Sequence, residues 1–507
     1  MKKVILKNIF SNWFVYVLII IVTFVMTPIM LQYLGKTGYG IWLLITSLTG
    51  YLGLFDLGIQ SSTTKYVAEY LAKKDENKFQ TLISTTFFIF LIIAGIVLIV
   101  TIILALLTDV IFKIPDRYAE IAPYLVLVIG SQVSVLFIFA TFTQVISGMQ
   151  RYELHSLIET ITVLVRSVLI YYFLKTGHGL LAVALIAFCS TLAARICYIF
   201  ILKFLKVRLK LQLRYFDKNI LKQIFNYSKI SFILIIATKL IYYTDNIVIG
   251  VMVSVSGISI YGIAGRLVGY MRELVLNATN VLNPAASHSK ESDRNSLRTM
   301  ALYSAQFTTI LITPMVIGFF IVGDSFIKLW IGGGFEETYT VLITLSIAQL
   351  FALPLYGIGS MLYGIAKHSI LAKVMVTEAI LNLILSLIFV KFWGIIGVAL
   401  GTVVPSLFFN LFYFPLKATK LFNLSIVEYY LKCLGQPFLM AIPFAATLFF
   451  YKHTFGCNTW LQFISSILCS FIVYAIIIYQ FNLKNFLPPK YRNIEKLVVN
   501  FAKSLMK

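Results

Sequence analysis

The chain is written twice, and this limits its fold more than any other feature. Ile5-Leu6-Lys7-Asn8-Ile9-Phe10 returns 215 positions later as Ile220-Leu221-Lys222-Gln223-Ile224-Phe225, each copy directly before a long apolar segment. Tyr39-Gly40-Ile41 matches Tyr261-Gly262-Ile263 at an offset of 222, and the stretch from Gly179 to Leu185 matches that from Gly394 to Leu400 at 215. A duplicated set of membrane helices is a transporter plan, because alternating access needs two halves that rock about a shared central site.

With 60% hydrophobic and only 12% charged residues, no water-soluble domain of this length is possible. Apolar runs of about 20 residues, the length of helix that crosses a bilayer core, predict an all-α polytopic membrane protein of about fourteen transmembrane helices. They lie near 12–34, 39–61, 82–107, 121–147, 155–174, 180–202, 226–252, 258–284, 300–322, 337–363, 369–391, 394–416, 433–451 and 460–481. Spans 1 to 6 make an N-lobe (1–202) and spans 7 to 12 a C-lobe (226–420), joined by a basic cytoplasmic linker (203–225). Spans 13 and 14 and a cytoplasmic tail fill 421–507. Six is even, so each half starts on the same side and the two form parallel repeats.

The net charge of +22 reads as topology and not as a nucleic-acid footprint. Most Lys and Arg fall in the termini and loops of one side, which places both termini in the cytoplasm. The densest cluster, Lys203, Lys206, Arg208, Lys210, Arg214, Lys218 and Lys222, is expected to rest on anionic lipid headgroups. Met1 to Met30 imitates a signal peptide but lacks a small-residue cleavage site, so it is read as the retained first span. Cys189, Cys197, Cys433, Cys457 and Cys469 have no metal-ligand spacing, and neither a metal site nor a cofactor is expected. No G-x-x-x-x-G-K-[ST] phosphate loop occurs, and no loop is long enough for a catalytic domain, which argues against an enzyme. Gly332-Gly333-Gly334 reads as a turn, and Pro28, Pro284, Pro314, Pro354, Pro405 and Pro443 as candidate kinks.

Ionisable residues inside spans cost about 2.5–3.5 kcal/mol each at mid-bilayer and must face the bundle or a wet cavity. The cations are Arg166, Arg195, Lys239, Arg266 and Arg272; the acids are Asp56, Glu159, Asp245, Glu273 and Glu378. Helical spacing stacks Arg266, Tyr270, Glu273, Asn277 and Asn280 on one face. Lys239, Tyr242 and Asn246 share another, beside Thr238 and Asp245. Trp42, Thr46, Thr49, Gly53, Asp56 and Gln60 form a third; Glu159, Thr162 and Arg166 a fourth; Glu378, Asn382 and Ser386 a fifth. One reading makes Arg266 with Glu273, or Lys239 with Asp245, interhelical pairs that pin the bundle. The other makes the cations a cavity for an anionic headgroup, four Arg to one Lys leaning toward phosphate because a guanidinium donates two parallel hydrogen bonds. Without a nucleotide site, energy must come from H⁺, Na⁺ or the membrane potential, with a buried carboxylate as the expected carrier.

The run from Thr27 to Trp42 (TPIMLQYLGKTGYGIW), Leu54-Phe55-Asp56-Leu57-Gly58-Ile59 and Lys65-Tyr66-Val67-Ala68-Glu69 resemble the start of polysaccharide-transporter proteins. These are the oligosaccharide-lipid flippases of the superfamily of multidrug, oligosaccharidyl-lipid and polysaccharide exporters. Gly148-Met149-Gln150-Arg151-Tyr152 and Leu329-Trp330-Ile331-Gly332 are similar to further pieces of that family. The resemblance implies two six-helix lobes around a central cavity lined by spans 1, 2, 7 and 8, which binds the diphosphate-sugar head of a polyprenyl carrier. Lys239, Arg266 and Arg272 lie in those spans; Arg166 and Arg195 do not.

The expected function is therefore a bacterial plasma-membrane flippase for a polyprenyl-diphosphate-linked oligosaccharide of O-antigen, capsule, teichoic acid or exopolysaccharide. A glycan polymerase and glycosyltransferases are its expected partners. Two alternatives stand beside it: a cation-coupled extruder of drugs or small molecules, and a non-transporting scaffold of a glycan-synthesis complex.

Overall fold

A computed structural model of the chain describes residues 2–280, 282, 286, 294–365, 367 and 369–486. Among these every regular element is helical. In chain order the principal helices are α1 (Lys2–Leu52), α2 (Ile59–Lys73), α3 (Glu76–Ile111), α4 (Ala122–Ile138), α5 (Ala140–Gly148), α6 (Tyr152–Lys175), α7 (Gly179–Phe204) and α8 (Lys218–Met252). They continue as α9 (Val255–Thr279), α10 (Arg294–Ile331), α11 (Glu336–Ala352), α12 (Tyr356–Gly364), α13 (Ser369–Leu407), α14 (Phe414–Leu421), α15 (Ile442–Phe455) and α16 (Trp460–Phe486). Backbone amides have no water to bond in a bilayer, so long apolar runs close their hydrogen bonds within helices. Hydroxyls in these runs do the same: Thr86 donates to the Leu82 carbonyl at 2.9 Å and Thr101 to that of Val97 at 2.8 Å.

Ten helical segments among the described residues are long and apolar enough to cross a membrane, or eleven if the bent pair α4 and α5 counts as one. The expected fourteen is not what length and hydropathy return, for identifiable reasons. Val15–Asp56 and Ser369–Leu421 run 42 and 53 residues, each about twice the length that a span needs. α1 breaks at Gly35 (φ 70°, ψ 175°) and α13 at Gly394 (φ 53°, ψ −129°), backbone conformations open to glycine alone. Gly179, which Gly394 echoes 215 residues on, also has positive φ. α9 is 25 residues long, but Arg266, Arg272 and Glu273 take it out of the apolar class. The expected fourth span is bent by 47° between α4 and α5.

Proline is not where the long helices break. Pro28, Pro314 and Pro405 sit inside continuous helices, Pro354 lies in a short 3-10 turn, and Pro443 opens α15, where its missing N–H costs nothing. Pro284 and residues 487–507 of the expected tail lie outside the described residues. Gly332 and Gly334 both take positive φ, as the triple-glycine turn requires.

Contacts divide the chain into two compact units, Met1–Ile263 with Met375–Gly401, and Ala264–Val374 with Thr402–Lys507. The core of the first runs from α2 and α3 through α4 and α5 to α7 and the start of α8, around Ile59, Leu82, Phe90, Val145 and Tyr198. In the second, Met271 and Val275 of α9 pack on Ile312 and Val316 of α10, and a separate cluster joins α10, α12 and α14 around Phe414 and Tyr429. Large apolar side chains such as Leu106, Val110, Val168 and Leu461 remain exposed, the outward face of a protein whose solvent is lipid.

Residues 203–225, expected as a linker, are ordered. α8 takes in the stretch from Lys218, capped by Asp217, whose carboxylate accepts the Asn219 N–H at 2.6 Å. The preceding strap is extended: Val207, Leu209 and Leu211 point into the core while Lys206, Arg208 and Lys210 stay exposed. The Gln80 amide of α3 brackets it, donating to the Arg208 carbonyl at 2.6 Å and accepting the Lys210 N–H at 2.8 Å.

The second unit contains two π-helical turns, Phe408–Tyr413 and Tyr429–Gly435. In an α-helix the Leu411 carbonyl would receive the N–H of residue 415, which is proline. The Tyr430 hydroxyl of the second π-turn donates to that carbonyl instead.

Candidate functional site: a polar seam between α1 and α8

The most developed polar seam in the first unit lies where α8 meets the second half of α1. Asn246 Nδ2 donates to Ser47 Oγ at 2.9 Å, and the Tyr51 and Thr244 hydroxyls are hydrogen-bonded. The rings of Tyr51 and Tyr243 meet edge to face, centroids 6.4 Å apart. The Lys239 ammonium stands 4.3 Å from the Tyr243 ring centroid, one helical turn earlier on the same face. Asp245, only 4% exposed, accepts a hydrogen bond from Tyr261 of α9. Gly50 lets the helices come this close, since a Cβ there would fall 2.4 Å from Cε1 of Tyr243.

Lys239 is the unusual member. It is half-buried in an apolar helix, and among the described residues no carboxylate pairs with it. The ring beneath it is worth about 0.5–2 kcal/mol, less than the roughly 2.5–3.5 kcal/mol that a charge costs at mid-bilayer. The seam therefore holds a cation whose attraction for an anion is largely unspent.

The other predicted residues fall as follows. On α9 the spacing holds: Arg266, Tyr270 and Asn277 are half-buried and Glu273 exposed, with Asn280 exposed in the turn just past the helix end, while Ala264, Leu267, Met271 and Val275 fill the opposite, buried face. Arg272 is half-buried beside this stripe. These residues from Ala264 onward belong to the second unit. The α1 stripe does not hold to its end. Thr46 and Thr49 bond back to their own helix, and α1 stops at Leu52; Gly53–Asp56 form a 3-10 turn, and Leu57 and Gly58 take positive φ. Asp56 accepts the Gln60 N–H at 3.2 Å and so serves the start of α2. Gln60 turns to Gln144 of α5 at 2.8 Å.

Glu159, Arg166 and Arg195 come together between α6 and α7. Arg195 Nη2 reaches Glu159 at 3.3 Å and Arg166 Nη2 donates to Thr191 at 3.1 Å. Glu378 of α13 is half-buried, above Asn382 and Ser386, which are 1% and 0% exposed. That face of α13 is a packing face. Tyr51, Tyr243, Tyr261 and Ser47 escaped the sequence reading. The i to i+4 spacing of Lys239 and Tyr243 is a signal for one of them; the others are set by tertiary contact alone.

The described residues form an all-helical membrane protein with cations and hydroxyls gathered inside apolar helices, and comparison with solved structures gives the fold. It superposes on the lipid II flippase MurJ in an inward closed conformation with a TM-score of 0.73, at 17% identity, over 96% of this chain and 99% of that one. With an inward-facing multidrug-resistance transporter of the MATE family of the MOP superfamily the TM-score is 0.68, at 16% identity, over 80% and 96% of the two chains. The fold is that of the MOP exporters. In sequence, the profile described as polysaccharide biosynthesis protein matches residues 5–290, and the chain belongs to that family. Over 257 residues it is 24% identical to the probable low-salt glycan biosynthesis flippase Agl15 of Haloferax volcanii. That match takes in 50% of this chain and 54% of Agl15, so the chain spans about half the length of the curated relative it matches.

Proposed function

We propose that the protein is a flippase that moves a polyprenyl-diphosphate-linked oligosaccharide, a unit of O-antigen, capsule, teichoic acid or exopolysaccharide, across a bacterial plasma membrane. It works by alternating access, with both termini in the cytoplasm and an ion or the membrane potential as drive, beside the polymerase and glycosyltransferases that handle the same glycan. The observation that carries this reading is Lys239. A half-buried ammonium over a tyrosine ring, with no carboxylate paired to it among the described residues, suits a phosphate oxygen, and the adjoining Tyr51, Thr244 and Asn246 suit sugar hydroxyls. Arg266, Tyr270, Arg272 and Asn277 of α9 are assigned to the anionic cargo as well, and Arg166 and Arg195 are not. The coupling acid belongs to the set Asp56, Asp245, Glu159, Glu273 and Glu378, of which Asp56 is engaged in starting α2 and Asp245 in holding Tyr261.

The test is cargo movement in vesicles, followed as quenching of a fluorescent polyprenyl-diphosphate oligosaccharide by a reagent that cannot cross the bilayer. A charge-assisted hydrogen bond contributes about 1.5–3 kcal/mol, so Lys239→Ala should slow movement by roughly 10- to 100-fold at unchanged protein abundance, with Lys239→Arg recovering part of it. Wild-type rates in Lys239→Ala would remove the headgroup role.

A further inference from the structure

The polar cluster between α6 and α7 closes on itself. His155 Nδ1 and the Tyr198 hydroxyl are 2.5 Å apart, and their rings stack with centroids 5.8 Å apart. The Arg195 guanidinium lies 5.3 Å from the Tyr198 ring centroid and reaches Glu159 at 3.3 Å. Glu159 is four residues after His155, on the same face of α6. Tyr198 is fully buried, and the Glu159 carboxylate lies close enough to act on its hydroxyl. The charges that act on His155 are Glu159 and Arg195, and both also act on Arg166. Of the other elements packed on α6, α5 carries no ionisable side chain, and α1 carries Lys2, Lys3, Lys7, Tyr16, Tyr33, Lys36, Tyr39 and Tyr51 along its length.

Glue between helices needs no imidazole. This circuit has one, hydrogen-bonded to a hydroxyl that has a second acceptor within reach, the carboxylate that also holds Arg195. A carboxylate has about four lone-pair sites, so Glu159 can receive another donor. We propose that His155 and Glu159 form a proton-binding site that couples cargo movement to the proton gradient. Its role in transport rests on the flippase reading; proton binding itself does not. A proton from solution bonds to Nδ1 of neutral His155. The Tyr198 O–H, which donated there, turns its hydrogen to Glu159 and accepts from the imidazolium. Glu159, with a new donor, loosens its hold on Arg195, and the net charge of the cluster rises from +1 to +2. Loss of the proton reverses each step. The Arg195 contact is thus the part that moves, and it ties α7 to α6.

The test follows the imidazole of His155 by ¹⁵N NMR in the full chain, with His178, His288, His368 and His453 replaced by Asn so that one histidine of the five remains. His155 should gain and lose a proton within the pH range over which the chain stays folded. Glu159→Gln should move the midpoint to lower pH by about one unit or more, because an opposite charge is lost. Tyr198→Phe should also move it to lower pH, because the acceptor of the charge-assisted bond from the imidazolium, the stronger of the two bonds this hydroxyl makes in turn, is lost. In vesicles, a pH gradient should accelerate cargo movement in the wild type and fail to do so in His155→Gln, while gradient-independent exchange continues. No titration in that range, a midpoint unmoved by both substitutions, or persistent gradient response in His155→Gln overturns the site. Titration as expected without cargo movement in the wild type instead overturns the flippase reading and leaves the proton site standing.

Discussion

Gly50→Ala probes the α1–α8 seam, and its effect can be worked out from one distance. Two terms oppose each other. In a helix interior alanine is favoured over glycine by about 0.5–1 kcal/mol. Against this, the new Cβ would stand 2.4 Å from Cε1 and 2.6 Å from Cδ1 of Tyr243, and forcing a methyl into such a contact costs about 1–3 kcal/mol. The ring cannot retreat freely, because its edge meets Tyr51 and its face carries the Lys239 ammonium. Gly50→Ala alone should therefore range from neutral to destabilising by about 2 kcal/mol. In a Tyr243→Ala background the collision is gone and the same substitution should stabilise by about 0.5–1 kcal/mol. The sign changes, and the coupling in the cycle is about 1–3 kcal/mol. Reversible unfolding of the purified chain in mixed detergent micelles measures all four corners. An equal effect of Gly50→Ala in both backgrounds would show that the helices do not meet through this ring, and the site built on it would go with them.

Two further outcomes follow from the backbone. Tyr430→Phe leaves the Leu411 carbonyl without the donor that replaces the missing N–H of Pro415, and should cost about 1–2 kcal/mol in the same unfolding assay; a loss below about 0.3 kcal/mol would mean that another group serves that carbonyl. Gly35→Ala puts a side chain at φ 70°, ψ 175° and should cost about 1–3 kcal/mol, although a Cβ there meets no atom within 4 Å. A neutral result would place the turn elsewhere.

The sequence announces features that act along one helix and conceals those that need two. Gly35 and Gly394 stand between apolar runs, and both are where long helices turn. The four-three-four-three spacing of Arg266, Tyr270, Glu273, Asn277 and Asn280 survives as an accessible face, because a single helix fixes it. The stripe from Trp42 to Gln60 does not, because its spacing assumes an unbroken helix through Gly53 and Gly58. Leu57 leaves the helical region in the same turn although nothing in its chemistry says so. The π-turns at Phe408 and Tyr429 are equally silent in sequence, since Pro415 marks a lost hydrogen bond but not the tyrosine that supplies another. Tyr51 and Tyr261 became visible only when α1 and α9 were laid against α8.

The strap from Lys206 to Lys210 has a consequence for how the first unit is held together. A tether within a run of seven basic residues would ordinarily be the place where a duplicated protein comes apart. Here one glutamine stitches it as a neighbouring strand would, and its alternate side chains are sunk among the helices on either side of it. Covalent continuity at this position is therefore redundant with packing: α8 would stay docked on the helices before it even if the peptide were nicked, like a graft that has healed.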